Sequence, residues 1–142
     1  MLVAQILKDK GARVLTCTPQ ETVLAAASIL NDERVGALVV MNAERVVGIV
    51  SERDIVRAVA EAGQTALDRP VSQIMTADVV LAKPQEHVDE LMERMTDRRV
   101  RHLPVCDDGR LLGIVSIGDL VKCKIAETLH EAETLKAYIV SG

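Results

Sequence analysis

The sequence has no phenylalanine, no tryptophan and a single tyrosine, Tyr138. Its core must therefore be filled by Val, Ile, Leu, Ala and Met, and it has no aromatic platform on which nucleic-acid bases could stack. Nor is there a basic excess: the formal charge of −4 gives no electrostatic footprint for a phosphodiester backbone. Both absences argue against a nucleic-acid partner. No apolar run approaches the roughly 20 residues that a membrane span requires. Lys8 and Asp9 interrupt the opening segment too early for a secretory signal. Cys17, Cys106 and Cys123 are odd in number and lack metal-ligand spacing, so they read as reduced thiols of a cytoplasmic protein. His87, His102 and His130 are scattered, and no metal site is expected. No nucleophile–base pair stands out, so the chain reads as a non-enzyme.

What the chain does have is a repetition. GIVSERD at 48–54 returns as GIVSIGD at 113–119, an offset of 65. The same offset lays Pro19-Gln20-Glu21 on Pro84-Gln85-Glu86, Arg34-Val35 on Arg99-Val100, and Arg45 on Arg110. From Thr18 to Val59, 16 of 42 aligned pairs are identical, so the chain is one structural unit written twice. VAQIL at 3–7 also matches VSQIM at 71–75 once three residues are inserted. The repeats run over 1–66 and 67–125, with an extension at 126–142. A unit of about 60 residues would be marginal alone, so two sharing a core is the expected arrangement.

Each unit reads as a short helix (Val3–Lys8; Val71–Met75), an extended piece (Val14–Cys17; Val79–Ala82), a Pro, a helix (Thr22–Asp32; Val88–Asp97), two strands and a closing helix. The strands ALVVM and RVVGIVS are joined at NAE, and HLPVC and RLLGIVS at DDG, a hairpin signal. Their near-continuous apolar runs suggest cover on both faces. AGQTALDRP links the units, with Gly63 stopping one helix and Pro70 opening the next segment. The last helix outruns the repeat. Ile117, Leu120, Val121, Ile125, Leu129, Ala132, Leu135 and Ile139 trace one stripe, over a length of about 35 Å. Such a helix either folds back over its own core or serves as a dimerisation arm, and the second reading is preferred.

Ser51 and Ser116 stand where a strand ends and a helix begins, each with Asp three residues on (Asp54, Asp119). That is the pattern of a helix cap. The same geometry suits a nucleotide. Free N–H groups and a serine hydroxyl suit phosphate, and Asp can accept two ribose hydroxyls. Gly48 and Gly113 in the strand either mark a bulge or let a base approach the backbone. The two readings can coexist.

The strand–Gly-x-x-Ser-x-x-Asp–helix pattern, present twice, resembles a tandem pair of CBS domains (a Bateman module), and RVRHLPVCDDGRLLGIVSIGDLV is especially similar to the second domain of such pairs. The resemblance covers about Val3 to Val121. It implies an α+β fold of two β-α-β-β-α units packed about a pseudo-twofold axis with two clefts between them. It implies adenosine ligands there, such as AMP, ADP, ATP, NAD or S-adenosylmethionine, with Asp54 and Asp119 at ribose and Ser51 and Ser116 near ribose or phosphate. On this reading the protein is a regulatory module that signals occupancy to an unidentified partner or through a homodimer. The alternative is an assembly module with vestigial sites. Arg53 can pair a phosphate, Arg101 and His102 replace Gly36 and Ala37 of the first unit, and Thr16 and Thr18 can reach base or sugar. The clefts are accordingly expected to be inequivalent.

Overall fold

In the computed structural model, which describes residues 1–11 and 13–141, the duplication is written into the backbone. The first repeat contributes α1 (Val3–Lys10), β1 (Thr16–Cys17), α2 (Val23–Glu33), β2 (Ala37–Asn42), β3 (Arg45–Ser51) and α3 (Glu52–Ala62). The second contributes α4 (Val88–Arg98), β4 (His102–Asp107), β5 (Arg110–Ser116) and α5 (Ile117–Ser141). The segment expected to form a helix at 71–75 is a single 3₁₀ turn, Val71–Gln73. It lacks the three additional residues that let α1 run to Lys10.

β2 and β3 form an antiparallel hairpin with β1 parallel to β2, while β4 and β5 form the second hairpin. Ala82 makes a lone parallel bridge to Val105, the remnant of a third strand equivalent to β1. Both hairpins bulge at the same place, Val40/Met41 and Val105/Cys106. Cover on both faces holds for the central residues of β2 and β4, whereas β3 and β5 alternate between buried and partly exposed positions. The DDG turn places Asp108 and Gly109 at positive φ, as a two-residue hairpin connection requires.

The helices begin and end for local reasons. Thr22 caps α2, its Oγ1 accepting from Ala25 N at 3.1 Å. α2 and α4 both end on an arginine in the left-handed region, Arg34 (φ 55°) and Arg99 (φ 53°), where glycine is the usual residue. These two left-handed caps turn the chain into β2 and β4.

The sequence repeats are not the packing units, because each lends its first segment to the other. Val3 N donates to Glu86 O (2.9 Å) and Ala4 N to Pro84 O (3.0 Å). In mirror fashion Val71 N donates to Glu21 O (2.7 Å) and Ser72 N to Pro19 O (3.0 Å). One core accordingly joins Val3, Ile6 and Leu7 to Leu91, Leu103, Val105, Val115 and Leu120. The other joins Val71, Ile74 and Met75 to Leu30, Leu38, Val40 and Val50. Both cores thus cross the boundary between the two sequence repeats.

The two strand glycines make room for this exchange. A Cβ at Gly113 would lie 2.7 Å from Leu7 Cδ2, and one at Gly48 would collide with Met75 Sδ and lie 3.1 Å from the Thr76 carbonyl oxygen. Leu7 and Met75 are equivalent residues of the exchanged segments. The expected approach of a base to Gly48 or Gly113 is corrected on this ground: packed side chains already fill that space. Gly48→Ala should cost about 1–3 kcal/mol, lowering the melting temperature by about 2–4 °C per kcal/mol. Adding Met75→Ala should cost less in the Gly48→Ala background than in the wild type, as a double-mutant cycle of thermal melts would read. Strict additivity would mean that the two residues do not press on each other.

Candidate functional site

At both strand–helix junctions the Ser-x-x-Asp motif closes as a capping box. Ser51 N donates to Asp54 Oδ2 (2.9 Å), the Ser51 hydroxyl donates to the same oxygen (3.1 Å), and Asp54 N donates to Ser51 Oγ (3.3 Å). Ser116 N donates to Asp119 Oδ2 (2.9 Å) and Asp119 N to Ser116 Oγ (3.2 Å). Each carboxylate uses Oδ2 alone, which leaves Oδ1 without a hydrogen bond among the described residues. The cap accounts for the spacing and still spares an acceptor.

One junction carries an additional residue. Lys10 Nζ, at the end of α1, donates to Asp119 Oδ2 at 2.6 Å and to the Ile114 carbonyl at 2.9 Å. At the equivalent place in the first repeat, Ile49 pairs with backbone: Thr76 N donates to Ile49 O at 2.9 Å. The lysine head group thus stands in for a peptide N–H and pairs the neighbouring carboxylate.

Two clefts lie where the repeats meet, and they share Gly36 and His102. The first, about 320 Å³, is walled by Leu15, Val35 and Ala37 of one repeat and Ile114 of the other. Ser116, Lys10, Arg13 and Arg34 supply its polar rim, and Arg13 is tied to Glu33 at 2.8 Å. The second, about 380 Å³, is lined by Ser51, Glu52, Arg53, Val56, Arg99 and Arg101. Its three arginines form no ion pair among the described residues. Both volumes fall at the small end of ligand pockets. A concave aliphatic slot with a cationic rim can enclose a flat apolar group at one end and an anion at the other.

The structure therefore brings Ser51, Arg53, Arg101 and His102 together in one cleft, and Ser116 and His102 in the other. It does not bring in Thr16 and Thr18, which are exposed and line neither cleft. Asp54 and Asp119 lie beside the clefts without lining them, Asp119 being screened by Lys10. Sequence reasoning missed Lys10, Arg13, Arg34, Arg99 and the aliphatic walls. The available signals were the three-residue insertion that carries Lys10 into place and the arginine repeated after each α-helix.

Electrostatics separate the clefts further. Burial pushes the Asp119 pKa up, but the Lys10 and Ser116 hydrogen bonds and the Lys10 charge outweigh it and hold the carboxyl below its ordinary value. Burial pushes the Cys17 thiol up to about 11, with Glu21 adding to it, which makes it unreactive. His102, wedged against Gly36 with Nε2 3.0 Å from where a Cβ would sit, has its pKa lowered mainly by burial. Glu52 and Asp119 oppose that shift, while Lys10 and Arg101 reinforce it. Among the described residues no cluster of His, Cys, Asp and Glu could hold a metal ion, and no helix is long and apolar enough to cross a membrane.

A duplicated α+β unit with paired clefts at two strand–helix junctions defines a class of two-repeat modules. The sequence pattern of the CBS domain matches residues 4–61 and 71–125, and the chain belongs to the CBS-domain family. Its fold is similar to that of the CBS-domain protein ATU1752 of Agrobacterium tumefaciens (TM-score 0.85, 44% identity, covering 87% of this chain and 99% of that one). It is also similar to the CBS domain pair of protein MJ0100 in complex with 5-methylthioadenosine and S-adenosyl-L-methionine (0.80, 27%, 89% and 98%). A third likeness is to the CBS-domain protein PAE2072 of Pyrobaculum aerophilum complexed with AMP (0.75, 30%, 84% and 89%).

The lowered pKa of His102 has a sign that can be checked. The unfolded chain binds this proton more readily than the folded one, so stability falls as pH drops below about 6.5. Melting temperatures at pH 7.5 and 5.5 should show a decline that is smaller in His102→Gln. An identical decline in the variant would assign the titration to another group.

Proposed function

We propose that the protein is a regulatory module that binds adenosine-containing ligands such as AMP, ATP or NAD between its repeats and signals occupancy to a partner. The observation that carries this reading is the first cleft. Aliphatic side chains from both repeats wall a slot that ends on Ser116 at the start of α5, with Lys10 and Arg34 at its rim. The aliphatic walls hold the base in the absence of aromatic residues. Ser116 and the rim cations meet the sugar and phosphate, and the spare Oδ1 of Asp119 accepts a ribose hydroxyl once Lys10 shifts. In the second cleft Arg53, Arg99 and Arg101 meet phosphate beside Ser51 and Asp54. The adenosine compounds named with MJ0100 and PAE2072 support the ligand class. The free thiols fit a reducing compartment such as the cytoplasm.

A ligand at 100 times its dissociation constant stabilises a protein by about 2.7 kcal/mol, or about 5–10 °C in melting temperature for a chain of this size. AMP, ATP, NAD and S-adenosylmethionine at millimolar concentration are the probes. No shift and no calorimetric heat from any of them would leave assembly as the module's role.

Self-association through α5 belongs to the same reading. The helix is buried at Leu120 and Cys123, yet Ile125 is 56%, Leu129 61%, Leu135 61% and Ile139 69% exposed. This apolar stripe on a 25-residue helix fits a second copy of itself. Leu129→Glu with Leu135→Glu should halve the mass seen by light scattering while the far-ultraviolet dichroism stays helical. An unchanged mass would remove α5 from the interface.

A further inference from the structure

We propose that Lys10 is the specificity-determining residue of the Ser116 cleft, favouring adenine ligands that carry phosphate over neutral nucleosides and sulfonium compounds. The inference rests on the adenosine-binding reading above and asks which member of that class the cleft is built for.

Three observations converge on this lysine. It lines the cleft itself, whereas Asp119, the carboxylate of the motif, does not. What an incoming ligand meets at that end is therefore an ammonium group and not a carboxylate. The ammonium spends two of its three donors, on Asp119 Oδ2 at 2.6 Å and Ile114 O at 2.9 Å, which leaves one N–H for a ligand oxygen. Finally, the charges around the cleft are already matched in pairs, Lys10 with Asp119 and Arg13 with Glu33. Arg34 remains as a rim cation with no ion pair among the described residues. With Lys10 in place the cleft is net cationic: its lining carboxylate, Glu33, is held by Arg13, and Asp119 beside it is neutralised. Without Lys10, Asp119 would stand beside the cleft with no cation paired to it, a setting that repels phosphate and welcomes hydroxyl donors or a sulfonium.

Lys10 also departs from the internal symmetry in a way that confines its effect to one cleft. It lies in the stretch between VAQIL and Pro19, which is three residues longer than the one between VSQIM and Pro84. In the other half, the carbonyl equivalent to Ile114 O is satisfied by the backbone of Thr76, and among the described residues no lysine bonds to Asp54.

The test is titration calorimetry of the full chain with AMP, adenosine and S-adenosylmethionine. It is run in a background carrying Arg53→Ser and Arg101→Ser, two exposed positions whose change removes two of the three guanidinium groups of the second cleft and leaves Arg99. With Lys10 present, AMP should bind more tightly than adenosine. Lys10→Met should weaken AMP and tighten adenosine and S-adenosylmethionine, reducing the AMP-to-adenosine affinity ratio by about tenfold or more, the value of one charge-assisted hydrogen bond. Lys10→Arg should keep the ratio within a few-fold. A merely structural role would weaken all three ligands together. An AMP-to-adenosine ratio unchanged by Lys10→Met overturns the proposal while leaving adenosine binding intact. No heat from any ligand in the unmodified chain overturns the adenosine reading itself.

Discussion

The architecture depends on a reciprocal set of backbone hydrogen bonds. The first residues of each repeat donate to the Pro-Gln-Glu turn of the other, through Val3 and Ala4 to Glu86 and Pro84, and through Val71 and Ser72 to Glu21 and Pro19. A unit of about 60 residues buries too small a share of its surface to be more than marginally stable alone. Exchange turns two marginal units into one body whose cores each draw on both repeats. It also sets the strand chemistry, because a segment that lies flat on the neighbouring hairpin leaves room for no side chain at Gly48 or Gly113.

The two halves depart from that symmetric frame at particular residues. Glu86 is held by Arg94 in an ion pair, but the equivalent of Arg94 in the first repeat is Ile29, and Glu21 Oε2 is left buried with no hydrogen-bond partner among the described residues. Arg101 and His102 occupy positions that Gly36 and Ala37 fill in the first repeat. The His102 ring closes on Gly36 as a wall common to both clefts. The outcome is one aliphatic slot with a cationic rim and one cleft dominated by three arginines. The duplicated Ser-x-x-Asp motif is the same in both, so it does not distinguish them.

Much of this was legible in the sequence because it depends on local rules. The 65-residue offset, the hairpin turns, the bounds of α1, α2 and α4 to within a residue or two, and the capping boxes all follow from periodicity and from residue types with definite backbone preferences. The exchange was not legible. A contiguous repeat and an exchanged one share the same local pattern, and nothing in VAQIL or VSQIM says which sheet it will cover. The strand glycines were legible as bulge markers, and the register does shift beside Gly48 and Gly113; the packing against them was not, because their neighbours, Leu7 and Met75, arrive from far along the chain. Asp54 and Asp119 were placed correctly as caps, but that neither lines a cleft, and that Lys10 covers Asp119, depends on packing between the repeats. The aliphatic walls at Leu15, Val35 and Ile114 look like any other β-branched or leucine residue until two repeats face each other.

The extension gives the asymmetry a direction. α3 ends at Ala62 with Gly63 as its cap, so the junction at Ser51 opens onto a helix that stops within the body. The junction at Ser116 opens onto α5, which runs 25 residues and exposes its apolar stripe beyond Cys123. Lys10 meets α5 at its first turn, through Asp119, and is itself the end of a helix anchored by Val3, Ile6 and Leu7 in the same core as Leu120. An event at the Ser116 cleft that moves the Lys10 ammonium thus acts at once on the exchanged segment and on the root of the outgoing helix. Among the described residues the Ser51 junction has no counterpart of Lys10. The two clefts therefore differ in the elements they are joined to as well as in the side chains that line them.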